Sequence, residues 1–390
     1  MNINQLRADT PGCATKVHFN NAGASLMTRQ TIEAQKSYLN HESVTGGYET
    51  ADAMAGEISL FYSSMAKLLN CQAQNISFTS SATNSFARAL SCIPFVAGDV
   101  ILLANEDYIS NQLAFLSLQK RFGIQLVRAR SLPDGGVDVD SMRQLMDQHK
   151  PRLVSLSHVP TNSGLVQPVE EVGKLCKDRN ILYLVDGCQS VGQIPVDMKS
   201  MHCDFFCGTF RKFLRGPRGA GFLFVSDNVL QQELWPLYID MRGADWTGPD
   251  SFQLRKDAKR FEDWEIPLGL LLGSRAAVEY AIGVGIEEIA KRNEALCLIV
   301  RKGLTNLNLR VLDHGKKLSS IITVVIPNSG PFELLHTLRK KNINTSISSR
   351  SSAVIDYDAK GVTWALRISP HYYNTEQEVA LLLKAIQEVL

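Results

Sequence analysis

Short apolar runs alternate with amphipathic segments along most of the chain. The segments between the runs carry apolar residues at helical spacing; Val169, Val172, Leu175 and Cys176, for example, fall on one face after Pro168. Strands alternating with helices predict a mostly parallel sheet with helices on both faces, which is an α/β fold. The runs that predict strands are 76–79, 99–104, 125–130, 153–158, 181–185 and 205–209.

The pattern changes after about residue 266. A long helical stretch runs from 267 towards 304, and Gly283 and Gly285 predict a break in it. The pattern then predicts a smaller α+β unit with strand 320–326, helix 331–341, strand 363–368 and helix 375–389. We therefore expect a large domain at 16–280 and a small domain at 281–390, with residues 1–15 packing on the small domain.

Composition narrows the function classes. The 390 residues are 45% hydrophobic and 21% charged, with a net charge of +2, which is typical of a globular protein and argues against nucleic-acid binding through bulk charge. The polar segment 1–9 does not resemble a signal peptide, and no apolar run is long enough to cross a membrane, so we expect a cytoplasmic protein without membrane contact. The eight cysteines do not have the spacing of a metal site, and none is predicted.

Lys212 lies in the most informative segment, 208–222. It follows an apolar strand and precedes a glycine- and proline-rich turn, so its amine projects from a rigid loop. Arg211 beside it disfavours the ammonium form, and a neutral lysine is a nucleophile suited to Schiff-base formation with a carbonyl cofactor. The alternative is a basic loop that binds an anion through Arg211, Lys212, Arg215 and Arg218.

Residues that follow strands are candidates for a site, because ligands of parallel sheets bind at the carboxyl ends of the strands. The segment 80–84 opens a helix with small and hydroxylated residues, which suits either an anion site or ordinary N-capping. Tyr108 places an aromatic ring at the sheet edge. Asp186 is costly to bury unless it meets a positive partner, such as a protonated pyridine nitrogen. His158 reads as a hydrogen-bonded core histidine rather than a catalyst.

Together these motifs resemble one family. Their order, an Asp186-x-x-Gln189 motif followed by a lysine loop ending in Gly-Pro-x-Gly, is similar to that of the fold-type I pyridoxal-phosphate enzymes. More narrowly, it resembles the class V aminotransferase group of cysteine desulfurases, selenocysteine lyases, cystine C–S lyases and isopenicillin N epimerase-like proteins. The resemblance runs from segment 18–24 to segment 367–375. It implies a seven-stranded type of sheet, pyridoxal 5'-phosphate as cofactor, a small amino-acid substrate and a homodimer.

The resemblance also implies roles for residues around the cofactor. Lys212 would bind the cofactor covalently and Asp186 would pair with its pyridinium nitrogen. Tyr108 stands where many relatives stack a histidine on the ring, and it is also a candidate acid on the face opposite Lys212. The remaining cofactor-binding candidates are Gln189 at the phenolic oxygen, Ala82, Thr83 and Thr209 at the phosphate, and Asn162 or, after a one-residue shift, Thr161.

On the substrate side, the resemblance assigns Arg367 to the α-carboxylate, because a guanidinium fork meets a carboxylate with two parallel hydrogen bonds. Asn21 would line the substrate mouth. Arg350 lies on the segment 346–356 and is a candidate for a second anionic group of a larger substrate. A structural ion pair is the alternative role for Arg367.

The segment 346–356 contains no cysteine, and none occurs after Cys297. A desulfurase of this group needs a thiolate there to accept sulfur, and serine is a poor substitute. The sequence therefore predicts a lyase that performs α,β-elimination on a cysteine-derived amino acid, releasing pyruvate and ammonia. Epimerisation or racemisation, transamination, and a chain that has kept the fold but lost turnover remain alternatives.

Overall fold

A computed structural model describes residues 1–390. The strands are β1 Val17–His18, β2 Ile76–Thr79, β3 Val100–Leu103, β4 Gln125–Arg128, β5 Leu153–Ser157, β6 Leu182–Asp186, β7 Phe205–Thr209, β8 Gly221–Val225, β9 Ala244–Gly248, β10 Ser251–Leu254, β11 Ile322–Val324, β12 Ile343–Asn344, β13 Ser346–Ser349 and β14 Trp364–Ile368.

The helices are α1 Ile3–Ala8, α2 Arg29–Thr45, α3 Gly47–Ala53, α4 Ala55–Leu69, α5 Ala82–Ser91, α6 Ile109–Phe122, α7 Val139–His149, α8 Val169–Arg179, α9 Met198–Met201, α10 Asp227–Gln231, α11 Leu268–Val284, α12 Ile286–Asn306, α13 Pro331–Lys340, α14 Val354–Lys360 and α15 Glu376–Gln387. Short 3₁₀ turns lie at Pro11–Ala14, Ala73–Asn75, Ala258–Phe261 and Arg350–Ser352.

The large sheet has seven strands in the order β2-β8-β7-β6-β5-β3-β4. Strands β3 to β7 are mutually parallel, whereas β8 pairs antiparallel with both β7 and β2. The α/β prediction is thus confirmed. All six predicted strands of this sheet are present, two with the predicted bounds and four shortened or shifted by one or two residues. After β3 the chain continues to β4 at one edge of the sheet, whereas after β5 it continues to β6 towards the other edge. Ligands of such sheets bind in the crevice between the carboxyl ends of two strands of this kind.

Two apolar cores cover the faces of this sheet. One contains the contacting aromatic residues Phe61, Phe78, Phe210 and Phe222, and the other contains Phe86, Phe115, Phe205 and Phe261. All residues of β2, β3, β5, β7 and β8 are buried. Strands buried on both faces explain why the apolar runs are continuous rather than alternating.

The C-terminal part forms an antiparallel sheet in the order β11-β14-β13. The predicted elements β11, α13, β14 and α15 are present, and the long helical stretch breaks at Gly285, whose φ is +91°. No single helix has the length and apolar character to cross a membrane, although α11 and α12, bent by 78°, would pass on length and composition as a pair.

The N-terminal residues connect the two parts of the chain. Strand β1 pairs in parallel with β12, and Arg7 in α1 donates a 2.8 Å hydrogen bond to Glu378 of α15. Leu6 belongs to the core that also contains residues of the large sheet. We propose the division into 16–280 and 281–390 as domains, with 1–15 on the small one. The Arg7–Glu378 contact supports the placement of 1–15.

Candidate active site

Lys212 lies directly after β7, in a loop closed by hydrogen bonds from Arg215 N to Lys212 O and from Gly216 N to Phe210 O, both 2.8 Å. Its side chain is buried, and Nζ lies 5.8 Å from the centroid of the Tyr108 ring. Burial is the main cause of a lowered pKa for the Lys212 amine. The charges of Arg211 and Arg367 lower this pKa further, whereas Cys188 and Asp186 raise it. Arg211 does act as the sequence predicted, but burial acts more strongly.

Asp186 ends β6, and both of its carboxylate oxygens accept hydrogen bonds. Oδ1 accepts from the Cys188 N–H at 2.9 Å and Oδ2 accepts from Asn111 Nδ2 at 2.9 Å. Two donors hold the buried carboxylate in one orientation. A fixed anion at this position can pair with a cationic ring nitrogen.

Asn111 and Asp107 are residues that sequence reasoning missed. Asn111 Nδ2 also donates to Asp107 Oδ1 at 3.0 Å, and Ser157 Oγ donates to the same oxygen at 2.6 Å. Burial raises the pKa of Asp107, while these donors oppose the rise. Asp107 and Asn111 are four positions apart at the start of α6, a spacing that allows two side chains to contact each other, and this spacing is the signal that the sequence contains.

Thr161 occupies the centre of the polar cluster. Its Oγ1 accepts from Gln189 Nε2 at 2.7 Å and from Arg367 Nη1 at 2.8 Å. Gln189 Nε2 also donates to Ala22 O at 3.1 Å. Thr161 and Ala22 therefore fix the Gln189 amide, and Gln189 Oε1 remains buried without a partner.

Arg367 lies on β14 without a carboxylate partner. Its Nε is buried and unpaired, and burial lowers the pKa of its guanidinium to about 10. Arg211, also without a carboxylate, donates to Gly23 O close by, and its charge contributes to the lowering. Two guanidinium groups without carboxylate partners, near one buried amine, favour an anionic ligand. The structure therefore contains no ion pair of the kind considered as an alternative for Arg367.

The structure does not bring Asn162 into the cluster. Its Nδ2 donates to Ser352 O at 3.1 Å and its Oδ1 accepts from Ser348 Oγ, so this side chain holds the segment 346–356 instead. Thr161, the alternative considered after a one-residue shift, is the side chain that contacts Gln189 and Arg367. The turn after β5 directs these neighbouring side chains to different parts of the fold.

Two further predicted residues also have other partners. Asn21 is fully buried, donates to Ser369 O at 2.8 Å and accepts from Tyr373 Oη, so it joins the N-terminal segment to the segment after β14. Arg350 forms a two-pronged ion pair with Asp358 on the half-exposed surface of the small unit. Neither side chain is hydrogen-bonded to Thr161, Gln189 or Arg367.

The opposite end of the site is the start of α5. Ser81 caps this helix by accepting from Asn84 N at 3.1 Å, which leaves the N–H groups of Ala82 and Thr83 for an anion. Thr209 is buried at the end of β7 beside this turn. Gly221 allows the close approach, since a Cβ there would lie 2.5 Å from the carbonyl carbon of Ser81.

The residues present fit pyridoxal phosphate. Lys212 would hold its aldehyde carbon, Asp186 its ring nitrogen, and the turn at Ala82 and Thr83 its phosphate. The unpaired Gln189 Oε1 and Arg367 Nε are the buried polar atoms that a bound ligand would satisfy. Tyr108 supplies an aromatic face next to Lys212 Nζ.

The chain is similar to known proteins over nearly its whole length. A probable cysteine desulfurase of Methanothermobacter thermautotrophicus is 25% identical, covering 100% of this chain and 98% of the relative. A cysteine desulfurase of Shigella flexneri is 28% identical, covering 99% and 98%. Among solved structures, an apo cysteine desulfurase from Thermococcus onnurineus NA1 has a TM-score of 0.90 at 23% identity, covering 99% and 97%. The cystine C–S lyase C-DES, in complex with its reaction product cysteine persulfide, has a TM-score of 0.87 at 22% identity, covering 97% and 99%.

The family model for aminotransferase class-V matches residues 17–382, nearly the whole chain. Together with the seven-stranded sheet and the Lys212–Asp186 site, this match shows that the chain belongs to the aminotransferase class-V family and is a pyridoxal-phosphate-dependent enzyme of fold type I.

Proposed function

We propose that this enzyme is a lyase that cleaves the C–S bond of a cysteine-derived amino acid by α,β-elimination. Three features together carry the proposal. The Lys212 amine is buried and its pKa is lowered, Arg367 has a buried Nε without a hydrogen-bond partner, and the segment 346–356 contains no thiol. The names of the relatives support a sulfur-containing amino acid as the substrate.

Different residues of the chain bind the substrate, hold the cofactor and move the proton in this reaction. When bound, pyridoxal phosphate supplies an electron sink that stabilises negative charge at the substrate's α carbon. Asp186, held in one orientation by two hydrogen bonds, would pair with the ring nitrogen. Arg367 binds the α-carboxylate and so orients the Cα–H bond. Lys212 Nζ removes the α-proton, the electron pair of the Cβ–S bond leaves with sulfur, and hydrolysis of the remaining fragment yields pyruvate and ammonia.

The cysteines of the chain argue for elimination over sulfur transfer. Cys297 is buried against Ser320, and burial raises the pKa of its thiol to about 11, so it is a poor nucleophile. Cys188 lies near Lys212, but its thiol interacts with the thiol of Cys207, a buried residue of β7. Ser348, on the segment 346–356, is hydrogen-bonded to Asn162. None of these groups resembles a mobile thiolate facing a substrate.

The test is to mix the purified holoenzyme with L-cysteine, L-cystine and cysteine S-conjugates and to follow pyruvate and the cofactor spectrum together. We expect pyruvate to accumulate while the cofactor stays in its aldehyde form, and the best substrate identifies the leaving group. Lys212→Ala should lower the rate by roughly 10⁴-fold, because a positioned base contributes about that much. Cys188→Ser should retain pyruvate formation.

Three outcomes would overturn the proposal, each in a different direction. Alanine and a protein-bound persulfide, lost in Cys188→Ser, would indicate sulfur transfer. Conversion of the cofactor to its amine form would indicate transamination. Exchange of the α-proton with deuterium, without pyruvate, would indicate epimerisation, and loss of that exchange in Tyr108→Phe would identify Tyr108 as the second acid.

We also propose that the protein is a homodimer, as the family resemblance implies. The hairpin β9–β10 and the preceding loop expose large apolar side chains, and the rings of Trp235 and Phe252 contact each other at 6.2 Å. An apolar surface of this kind is typical of an interface. Sedimentation should give a dimer, and Trp246→Glu, at a side chain that is 82% exposed, should weaken it. A monomeric wild-type protein would contradict this proposal.

A further inference from the structure

A cavity of about 360 Å³ lies behind the active site, on the side of the sheet that α8 covers. It is enclosed by the loop after β4, the segment between β5 and α8, the loop 194–196 and the loop 316–317 of the small unit. We call it the His158 cavity. About half of its wall is apolar, contributed by residues that include Leu132, Val137, Leu165, Val169, Ile194 and Met201. Cavities of this size that combine an apolar part with a few polar groups are typical ligand sites.

His158 lines this cavity with an imidazole that the protein leaves unpaired. The residue is only 7% exposed, and its Nδ1 is buried without a hydrogen-bond partner. The prediction of a hydrogen-bonded core histidine is therefore wrong for this nitrogen. Burial, with a smaller contribution from Lys317, lowers the pKa of His158 to about 3, so the ring is neutral at physiological pH. A neutral imidazole has one N–H to donate and one nitrogen to accept.

The rim of the His158 cavity carries two exposed lysines, Lys316 and Lys317, and neither forms an ion pair. The Lys317 charge is close enough to act on His158. Two carboxylates, Glu170 and Glu171, lie on the same rim, and Glu170 accepts a 2.9 Å hydrogen bond from Ser200. Apart from Glu171, the charged groups without protein partners on this rim are the two lysines, and they lie near the unpaired His158 ring.

We propose that the His158 cavity binds a small organic carboxylate with an apolar body, at a site separate from the substrate site. The apolar body fills the space between Leu165 and Val169, and the carboxylate lies between the His158 imidazole and the ammonium groups of Lys316 and Lys317. The cavity lies next to the catalytic residues, since His158 N donates to Asp186 O at 2.9 Å.

The experiment titrates ¹⁵N-histidine-labelled holoenzyme with sodium hexanoate and follows the ring nitrogens by NMR. We expect the His158 signals to shift and saturate. Lys316→Ala/Lys317→Ala should weaken binding by roughly tenfold, because about 1.4 kcal/mol of charge interaction is lost. Glu171→Gln should strengthen it, since a like charge is removed from the rim. Hexanol, which has the same body without the charge, should bind more weakly than hexanoate.

Control variants separate this site from the substrate site. Arg367→Ala should leave the hexanoate titration of His158 unchanged, and the lysine pair, being exposed, should retain the wild-type cofactor spectrum. Calorimetry with His158→Phe should show no hexanoate binding beyond that at Arg367. The proposal is overturned if the His158 shift does not saturate, if the lysine variants bind equally well, if hexanol matches hexanoate, or if Arg367→Ala abolishes the shift.

Discussion

Arg215, in the lysine loop, and Arg367, on β14, differ in how the protein satisfies their guanidinium groups. Arg215 donates to Leu26 O at 2.9 Å, to Tyr372 Oη at 2.7 Å and to Thr10 Oγ1. Its guanidinium also lies 4.4 Å from the centroid of the Tyr373 ring. Arg367 has one hydrogen bond, to Thr161, and a buried Nε with no partner.

The difference separates a cation that serves the fold from one that serves a ligand. Neither arginine has a carboxylate partner, so charge alone does not distinguish them. Three neutral acceptors and two aromatic faces surround the guanidinium of Arg215, which is how a buried charge is tolerated without an anion. Arg367 leaves donors free for an anion from outside. This comparison predicts opposite effects of substitution on stability and on catalysis.

Arg215→Met should have the largest effect on stability. The substitution leaves the hydroxyls of Tyr372 and Thr10 and the carbonyl of Leu26 without their donor, at a cost of about 1–3 kcal/mol for each group that stays unsatisfied. We expect the free energy of unfolding to fall by about 4 kcal/mol in urea titrations. Arg215→Lys should recover part of the loss, and KM should stay unchanged in both variants. A stable Arg215→Met protein with a raised KM would reverse the assignment.

Arg367→Ala should act on catalysis instead. Loss of the guanidinium removes the fork for the α-carboxylate, and we expect kcat/KM to fall roughly a hundredfold, equivalent to about 3 kcal/mol. The free energy of unfolding should not fall, because a buried and incompletely paired charge is removed. Steady-state kinetics on the best sulfur substrate and urea titration measure both quantities. Arg367→Lys keeps the charge but not the fork and should recover only a small part of kcat/KM.

Asn111→Leu should have a smaller effect, on the cofactor. Asn111 is the donor shared by Asp186 and Asp107, so its loss frees two carboxylates that then repel each other. We expect the dissociation constant for pyridoxal phosphate to rise roughly tenfold, since a hydrogen bond to a charged group contributes about 1.5–3 kcal/mol. Absorbance titration of the apoprotein measures it. Gln112→Leu is the matched control, because Gln112 donates to Asp107 but not to Asp186; equal effects would place the role in Asp107 alone.

The sequence predicts the large sheet well because its signals are local. Buried strands are continuous apolar runs, and the glycine turn after Lys212 leads into β8 as expected. Strands β1 and β12 could not be predicted, since each has two residues and their partners are more than 300 positions apart. Their pairing depends on the packing of the whole chain.

The part of the candidate site that could be predicted consists of residues whose type and sequence motif indicate their chemistry. Lys212, Asp186, Gln189 and Arg367 lie in one cluster, as the family resemblance implied. The sequence could not decide between Thr161 and Asn162, because adjacent side chains after a strand point in different directions and only tertiary contacts fix which one faces the site. Tertiary contacts also fix the direction of Arg350, whose side chain forms an ion pair with Asp358 at the surface.

Arg211→Gln should have the smallest of these effects, a shift in the pH dependence of Lys212. Arg211 lowers the Lys212 pKa, although less than burial does. Removing its charge favours the ammonium form, so the pKa should rise towards the ordinary lysine value of about 10.4, and less neutral amine is present at a given pH. The rate at which apoprotein binds pyridoxal phosphate covalently should rise with pH in both proteins, with a higher midpoint in Arg211→Gln and a several-fold lower rate at pH 8. Arg218→Gln is the control, because Arg218 is exposed on the same loop and does not number among the charges acting on Lys212. An equal shift in both variants would mean that the loop acts through its total charge, as in the anion-binding alternative, and not through the cation next to the lysine.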